Sequence, residues 1–464
     1  MPMKTCRVLM PIGALGGGID EAAFANGMTM KPDVIAADAG STDSGPAYLA
    51  CAMTKYSKGT IKRDLKLMIV AGRTAGIPVL VGSSGTCGAD AQVDAYAEIT
   101  AEILREEGLS GKIARIYTEQ TADTLERKWD EGKIHALPNA PEITRETFRQ
   151  CLHIVSVMGA EPFIEAVENG ADIVIGGRAT DAGIIAALPL MRGCHEAAAW
   201  HGGKTVECGA QCTDNQEGIG AFLSVDEEGF DVWPIHPAAR CTPYTVSAHL
   251  VYENTNPLRF TEPSGAFLTD RAVYTQLDDK TVRVTGTRFE RATQYTLKLE
   301  GAALAGYQTI ALVGMADRLV MADPERWIGN ISTKAREVLR DIGIPEVDYS
   351  FNFKAYGYNA VLPGPVPEGT PPPREIGMLL TVTAKTQELA DQIAKVFNPG
   401  LLHFPADPAQ PLPSFAFPFS PAQIQRGPVY AFMLYHVVDV DDPLELVRIQ
   451  YESICAGIPS RKEG

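Results

Sequence analysis

Between Pro78 and Glu107 a short apolar run, Pro78-Val79-Leu80-Val81, breaks into Gly82-Ser83-Ser84-Gly85-Thr86-Cys87-Gly88. A helical pattern then runs from Ala89 through Tyr96, Ile99, Ile103 and Leu104 to Glu107. A short β-branched run bounded by Pro and Gly is the pattern of a buried strand. The small polar residues form a tight turn, and Asp90 falls early in the helix, where a carboxylate suits the positive end of the macrodipole. Strand, Gly/Ser/Thr turn and helix N-terminus together make a nest of backbone N–H groups able to hold an anion. A single unit of this kind constrains little, but the chain repeats it.

Val8–Ile12 ends in Gly13-Ala14-Leu15-Gly16-Gly17-Gly18, and Val34–Ala37 ends in Asp38-Ala39-Gly40-Ser41-Thr42-Asp43-Ser44-Gly45-Pro46. Ile113–Tyr117 stops at Thr118-Glu119-Gln120-Thr121, Ile154–Met158 at Gly159-Ala160-Glu161-Pro162, and Ala171–Ile175 at Gly176-Gly177-Arg178-Ala179-Thr180-Asp181. Strands alternating with helices at this spacing predict an α/β fold with a doubly wound, mostly parallel sheet. Parallel strands place all their C-terminal turns on one edge, where ligands bind. The polar turns are therefore expected to converge.

The pattern divides the chain into a Rossmann-like domain over 1–219 and a C-terminal region over 220–464. Gly193–Gly218, rich in Gly, Cys, His and Asp, reads as a long loop or lid. Gly220–Phe289 is β-rich, with a helical segment at Tyr244–Tyr252. Two strand–helix–strand passages follow, one from Tyr295 to Lys354 and one from Gly377 to Val438, which make the C-terminal region α+β. The Pro-rich stretch Pro363–Pro373 reads as the linker between them.

The formal net charge of −16 argues against sequence-independent nucleic-acid binding and against adhesion to an anionic membrane surface. No apolar run reaches the roughly 18 residues that span a bilayer. Nine scattered cysteines and no signal-peptide layout at the N-terminus lead us to expect a reducing cytoplasm. A small anionic metabolite remains a suitable ligand, because a local nest can overcome the global field.

Standard signatures are absent: there is no GxxxxGK[ST], HExxH, GxSxG or EF-hand loop. The turn at Gly16 and Gly17 is either a plain strand-to-helix turn or a cradle for phosphate or carboxylate, and Asp38 only approximates a ribose-binding acid. Ser41, Thr42 and Asp43 are helix-cap residues that can also offer hydroxyls and a base. Ser83, Ser84 and Thr86 form the densest hydroxyl cluster, and Cys87 is either a small packing residue or a thiol activated by the helix N-terminus. Arg178, beside Thr180 and Asp181, can clamp a carboxylate through its planar fork or form a structural ion pair. Asp90 is a candidate ligand for a divalent cation, Mg²⁺ or Mn²⁺. Cys194, His195, His201, Cys208 and Cys212 do not match a standard zinc spacing. His236 and Arg240 are further acid–base and anion-binding candidates, and Glu217, Glu253 and Asn254 are polar residues within reach of the same regions.

Several ordered segments resemble one family. Ala171–Ala182 looks like the "ADIVITGR-x-x-DA" segment of the acyclic terpene utilisation AtuA family, and Ala39–Leu49 resembles the "GSTD-x-GP-x-YL" variant of its shorter members. Pro243–Asn256 is similar to the family's "TPATVAEQLLYE" segment, with Val282–Gly286 as the strand that follows. The resemblance covers about residues 5 to 290, and more loosely the rest. The family is named for a gene cluster that degrades acyclic terpenes through acyl-CoA intermediates. Longer members carry an extra C-terminal ferredoxin-like domain, which this chain is expected to lack, so the resemblance implies a separate small subunit of that fold as partner. The GSTD variant departs from the terpene-type pattern, so a terpene-derived substrate is not carried over.

The resulting expectation is an enzyme, a homo-oligomer, acting on a small carboxylate or its thioester by proton abstraction with loss or addition of water. Arg178, Gly16, Gly17, Ser83, Ser84 and Thr86 would hold the anion, Asp43, Asp90 or Asp181 would serve as base or metal ligand, and His236 or Cys87 as acid. The alternative is a non-catalytic subunit that holds the metabolite for a partner.

Overall fold

The computed structural model describes residues 4–215, 220–251, 254, 256–362, 364–409 and 411–456. Glu217 and Glu253 lie outside the described residues. The chain forms two compact units, Met1–Ala303 with Phe432–Gly464, and Leu304–Ala431.

The first unit is built on nine strands of its N-terminal half: β1 (Cys6–Met10), β2 (Val34–Asp38), β3 (Val79–Gly82), β4 (Gly111–Tyr117), β5 (Ile134–Ala136), β6 (His153–Val157), β7 (Ile173–Gly176), β8 (Ala221–Val225) and β9 (Gly229–Pro234). Its main sheet has ten strands in the order Val273–Gln276, Val282–Thr285, β9, β8, β1, β2, β3, β7, β4, Arg448–Ile454. The pairs from β1 to β4 are parallel, with Val8 opposite Val34, Leu80 opposite Ala36 and Val174, and Ala114 opposite Val174. The remaining neighbours are antiparallel. The architecture is thus mixed α/β with a mixed sheet, rather than the mostly parallel one expected. The hairpin β8–β9 and the C-terminal strand Arg448–Ile454 extend a parallel centre on both sides.

Burial explains why the central strands are apolar throughout. Val8, Met10, Val34, Ala36, Leu80 and Val174 face a core shared with the helices Glu161–Glu168, Asp181–Met191 and Glu196–Val206. Leu9, Ile35, Ala37, Val79, Val81 and Ile175 face the opposite core, with helices Glu21–Thr29, Lys58–Ala75 and Asp90–Glu106. With both faces covered, alternation disappears, and each buried Val, Leu or Ile contributes about 1.5–3 kcal/mol.

The segment read as a lid contains the helix Glu196–Val206 instead. His195 Nδ1 caps it by accepting from Ala198 N at 3.2 Å, and Trp200 stacks on Phe289 with ring centroids 6.5 Å apart. Loop-like composition lost to the burial of its Ala, Trp and His residues. His201 is fully buried, stacks on Phe267 and bonds Thr287 Oγ1 at 2.7 Å, and burial lowers its pKa to about 3. It is a neutral core histidine.

The second unit runs strand, helices, strand, strand, helix, strand. The elements are the end of Tyr295–Met315, the helices Arg318–Ala322 and Pro324–Asp341, Tyr349–Tyr356, Ile376–Ala384, Gln387–His403 and the start of Gln423–Val440. Along the sheet the strands lie in the order Tyr349–Tyr356, Ile376–Ala384, Tyr295–Met315, Gln423–Val440. This is the βαββαβ, or ferredoxin-like, arrangement. The two strand–helix–strand passages of the sequence interleave into one unit, so a unit of ferredoxin-like topology is present in the chain itself.

Candidate functional site

The C-terminal turns of the parallel strands are stitched to one another by backbone hydrogen bonds. Ala39 N donates to Gly82 O at 3.0 Å, Ser83 N to Gly177 O at 2.8 Å, Gly177 N to Ile116 O at 2.7 Å, and Met158 N to Arg178 O at 3.0 Å. This close approach is what the small residues permit. A Cβ on Gly88, where φ is +67°, would collide with the backbone of Gly177 and Arg178, and one on Gly40 would lie 2.7 Å from Thr86 Cα. Ser83 and Thr86 hold positive φ angles, 49° and 95°, in the same turn. Non-glycine residues sustain such backbone only where surrounding contacts over-determine it, a condition that clusters at functional sites.

Arg178 is the centre of what these turns enclose. Its side chain is 10% exposed, and Nε donates to Glu300 Oε2 at 3.0 Å. Nη1 donates to Ser83 Oγ at 3.2 Å and to Ala179 O at 3.1 Å, with Asp181 Oδ1 at 3.6 Å. Burial works against the guanidinium's charge, but Glu300 and Asp181 outweigh it and raise its pKa. Glu300, 4% exposed, also accepts from Lys298 Nζ at 2.8 Å. Burial would raise this carboxyl, yet Arg178 and Lys298 hold it at about 2.

Asp38, the last residue of β2, is buried, and its Oδ2 accepts from Gly40 N at 3.0 Å. Oδ1 is buried without a hydrogen-bond partner among the described residues. Burial and then Asp181 push its pKa well above the carboxylate range, against the pull of Arg178. Asp181 is raised as well, by burial first, with Arg178 and Lys204 opposing. Glu262 is raised to about 8 by burial, with Thr180 and Lys204 opposing. Glu207 is raised by burial against its ion pair with Lys204. The strand-end edge therefore holds more carboxyl groups than cations; burial favours the neutral form most at Asp38, whereas Arg178 and Lys204 both oppose it at Asp181.

Of the residues picked out by sequence, Arg178, Ser83, Thr180 and Asp181 come together here. Thr180 caps the helix Asp181–Met191, accepting from Gly183 N at 3.2 Å. Asp43 is exposed, accepts from Ser41 Oγ at 3.1 Å, and adds negative charge beside Asp181, while Thr42 is buried next to it. Ser84 Oγ donates to Gly176 O at 2.8 Å and Thr86 Oγ1 accepts from Lys55 N at 3.1 Å, so both hydroxyls hold the turn.

Other candidates are engaged elsewhere. The nest at Gly16 is filled from within: the fully buried Asp64 carboxylate accepts from Gly16 N, Gly18 N and Ile19 N, each at 3.0 Å, and Gly17 N donates to Ala14 O at 3.0 Å. The anion that these N–H groups hold is the chain's own side chain. Asp90, the expected metal ligand, forms an ion pair with Arg448, so a guanidinium stands where Mg²⁺ or Mn²⁺ was expected. Cys87 is buried near Arg178 and Glu300, and burial pushes its thiol up to about 12. It is a neutral thiol and a poor acid at neutral pH. His236 follows β9, five strand spacings from β7, or about 24 Å at about 4.8 Å per strand. Its Nδ1 accepts from Ala238 N at 3.2 Å. Exposed Arg240 follows in the same loop, its N donating to Asp214 Oδ1 at 2.7 Å. Both lie in the loop that follows β9.

Sequence reasoning missed Glu300, Lys298, Lys204, Glu207 and Glu262. One signal was available for the first two. In Leu297-Lys298-Leu299-Glu300 the two leucines are fully buried on one side, and the alternation puts Lys298 and Glu300 together on the other.

These features define a mixed α/β protein with a buried acid-rich centre at its strand-end edge. The chain belongs to the Acyclic terpene utilisation family protein AtuA family, whose profile matches residues 37–409. Membership implies a role in acyclic terpene utilisation, consistent with an enzyme-like function. No curated protein and no solved structure matches the chain. Among the described residues, no helix is long and apolar enough to cross a membrane.

Proposed function

We propose that this chain is an enzyme acting on a small carboxylic acid or its thioester, removing a proton beside the carbonyl and expelling or adding water. Arg178 and Ser83 orient the carboxylate or carbonyl oxygen. The carboxylate of Asp181, partly open to solvent, takes the proton, and the neutral carboxyl of Asp38 protonates the departing hydroxyl, which leaves as water. Pairs of carboxyls whose surroundings favour different protonation states are how one site runs acid and base steps together. The observation that carries this reading is the buried Asp38 Oδ1, unpartnered among the described residues, beside Arg178 and Asp181. A ligand hydroxyl would supply the missing partner.

The rival reading, a metabolite-binding subunit of a two-component enzyme, draws support from Arg178 already meeting an internal carboxylate, Glu300. A thermal-shift screen of carboxylates, hydroxy acids and acyl-CoAs separates the two. The enzyme reading expects stabilisation by an acid and by its dehydrated counterpart, and interconversion of the two by the purified chain. Asp38→Asn and Asp181→Asn should abolish interconversion while the thermal shift persists. Binding without turnover in the unaltered chain overturns the enzyme reading.

A further inference from the structure

Two helix ends place three side chains in one small volume, on which Asp181 acts electrostatically. Glu207 and Cys208 terminate the helix Glu196–Val206, and His249 ends the helix Pro243–His249. A carboxylate oxygen of Glu207, the sulfur of Cys208 and a ring nitrogen of His249 lie within 4.8 Å of one another. Glu207 and His249 are buried and Cys208 is partly exposed. Cys208 packs on the turn after β1, where a Cβ on Gly13 would lie 2.6 Å from its backbone carbon.

We propose that Glu207, Cys208 and His249 form a mononuclear site for a zinc-type divalent cation. A tetrahedral zinc ion bound at about 2.0–2.3 Å to oxygen, nitrogen and sulfur sets its ligands roughly 3.3–3.8 Å apart, inside the 4.8 Å within which these atoms lie. Three protein ligands leave the fourth position for water or substrate, the arrangement of catalytic rather than structural zinc.

Two independent features agree with a cation. The His249 ring donates a hydrogen bond to the backbone carbonyl of Lys204. A metal-ligating histidine is usually fixed in this way, because the donated N–H sets the tautomer that turns the other nitrogen's lone pair to the metal. The charge balance is the second feature. Glu207, Asp181 and Glu262 all act on the same buried region, and Lys204 is the cation that acts on all three. Lys204 engages Glu207 Oε1, which fixes that carboxylate's orientation toward the site. A divalent ion would supply positive charge where these three carboxyls share one lysine.

Softness of the thiolate and imidazole selects Zn²⁺, Co²⁺ or Fe²⁺ over the Mg²⁺ or Mn²⁺ expected at Asp90. Asp181 acts electrostatically on Glu207, but the site does not rest on the proposed reaction.

The test is metal content and spectroscopy of the full chain, neither of which needs a substrate. Purified protein stripped with chelator, reloaded with Zn²⁺ and desalted should retain about one equivalent per chain, as measured by elemental mass spectrometry. Loaded with Co²⁺ it should show a thiolate-to-metal charge-transfer band. Cys208→Ser should lose that band, and Cys208→Ser and His249→Gln should each weaken binding by more than about 10-fold, the loss caused by removing even an outer-shell partner. Cys51→Ser, at an exposed cysteine, should change nothing. If a variant fails to fold, the cobalt band of the unaltered chain still reports thiolate ligation. No retained Zn²⁺, a cobalt complex without a thiolate band, or wild-type affinity in Cys208→Ser overturns the site. Metal retention with no turnover of any acid would leave the site standing and reject the lyase reading alone.

Discussion

Replacing Glu300 by Gln removes one negative charge from the Arg178–Glu300–Lys298 cluster while keeping the side chain's shape. Arg178 is then left with Asp181, Ser83 and the Ala179 carbonyl, and Lys298 loses its ion pair. Two routes give the cost. Breaking a buried ion pair from one side typically costs about 3–5 kcal/mol. The Glu300 carboxyl falls from 4.5 to about 2, and at about 1.36 kcal/mol per pKa unit this is worth about 3 kcal/mol of folding free energy. The sign follows from the depressed folded-state value. This stability is fully present above pH 4.5 and is lost as pH falls toward 2. Urea unfolding of both proteins, followed by tryptophan fluorescence, is the assay, and Trp129, Trp200 and Trp233 all report on the first unit. At pH 7 the variant should be less stable by about 3 kcal/mol, and the gap should close as pH falls below 4.5. A gap under about 1 kcal/mol, the value of an exposed pair, or one that does not change with pH, refutes the reasoning.

Other perturbations read other parts of the molecule. Glu262→Gln should reverse the pH behaviour: the carboxyl sits at about 8 in the folded state, so the unaltered protein loses stability between pH 4.5 and 8 while the variant does not. Infrared difference spectra at pH 7 should show one protonated carboxyl fewer, and an unchanged carbonyl-stretch region would contradict this. Asp64→Ala strips three backbone N–H groups of their acceptor and should cost about 3 kcal/mol or more, since each buried unsatisfied donor costs about 1–3 kcal/mol. A melting temperature within a degree of the parent's would rule out the filled nest. Gly88→Ala should yield insoluble or unfolded protein, because its Cβ meets the Arg178 backbone at a positive φ, and native circular dichroism would show that the turn can open.

The sequence made the strands and their convergence legible because both are written in short-range pattern. Val79–Gly82, Ile173–Gly176 and Val34–Asp38 are apolar runs closed by small residues, and parallel pairing follows from the helices between them. Arg178 stood out for the same reason, as a lone cation in a glycine-rich turn. What could not be read is long-range. Nothing near Gly16 announces that Asp64, 48 residues on, fills its nest. Glu300 reaches Arg178 across 122 residues. His249 meets Glu207 and Cys208 only because two helices end side by side. The mixed character of the sheet was hidden likewise, since β8 and Arg448–Ile454 join its parallel centre from distant parts of the chain. The helix Glu196–Val206 was obscured by composition, because its Gly, His and Thr residues are poor helix formers that tertiary burial overrides.

The central claim, that the acid pair beside Arg178 moves a proton on a small carboxylate, is tested most directly by hydrogen exchange on the substrate. The purified chain is incubated in D₂O with each acid or thioester that stabilises it, and the ligand's proton spectrum is followed. The account predicts deuterium entering at the carbon next to the carbonyl, with exchange lost in Asp181→Asn although binding persists. Binding with no deuterium incorporation, or exchange that is undiminished in Asp181→Asn, would contradict it.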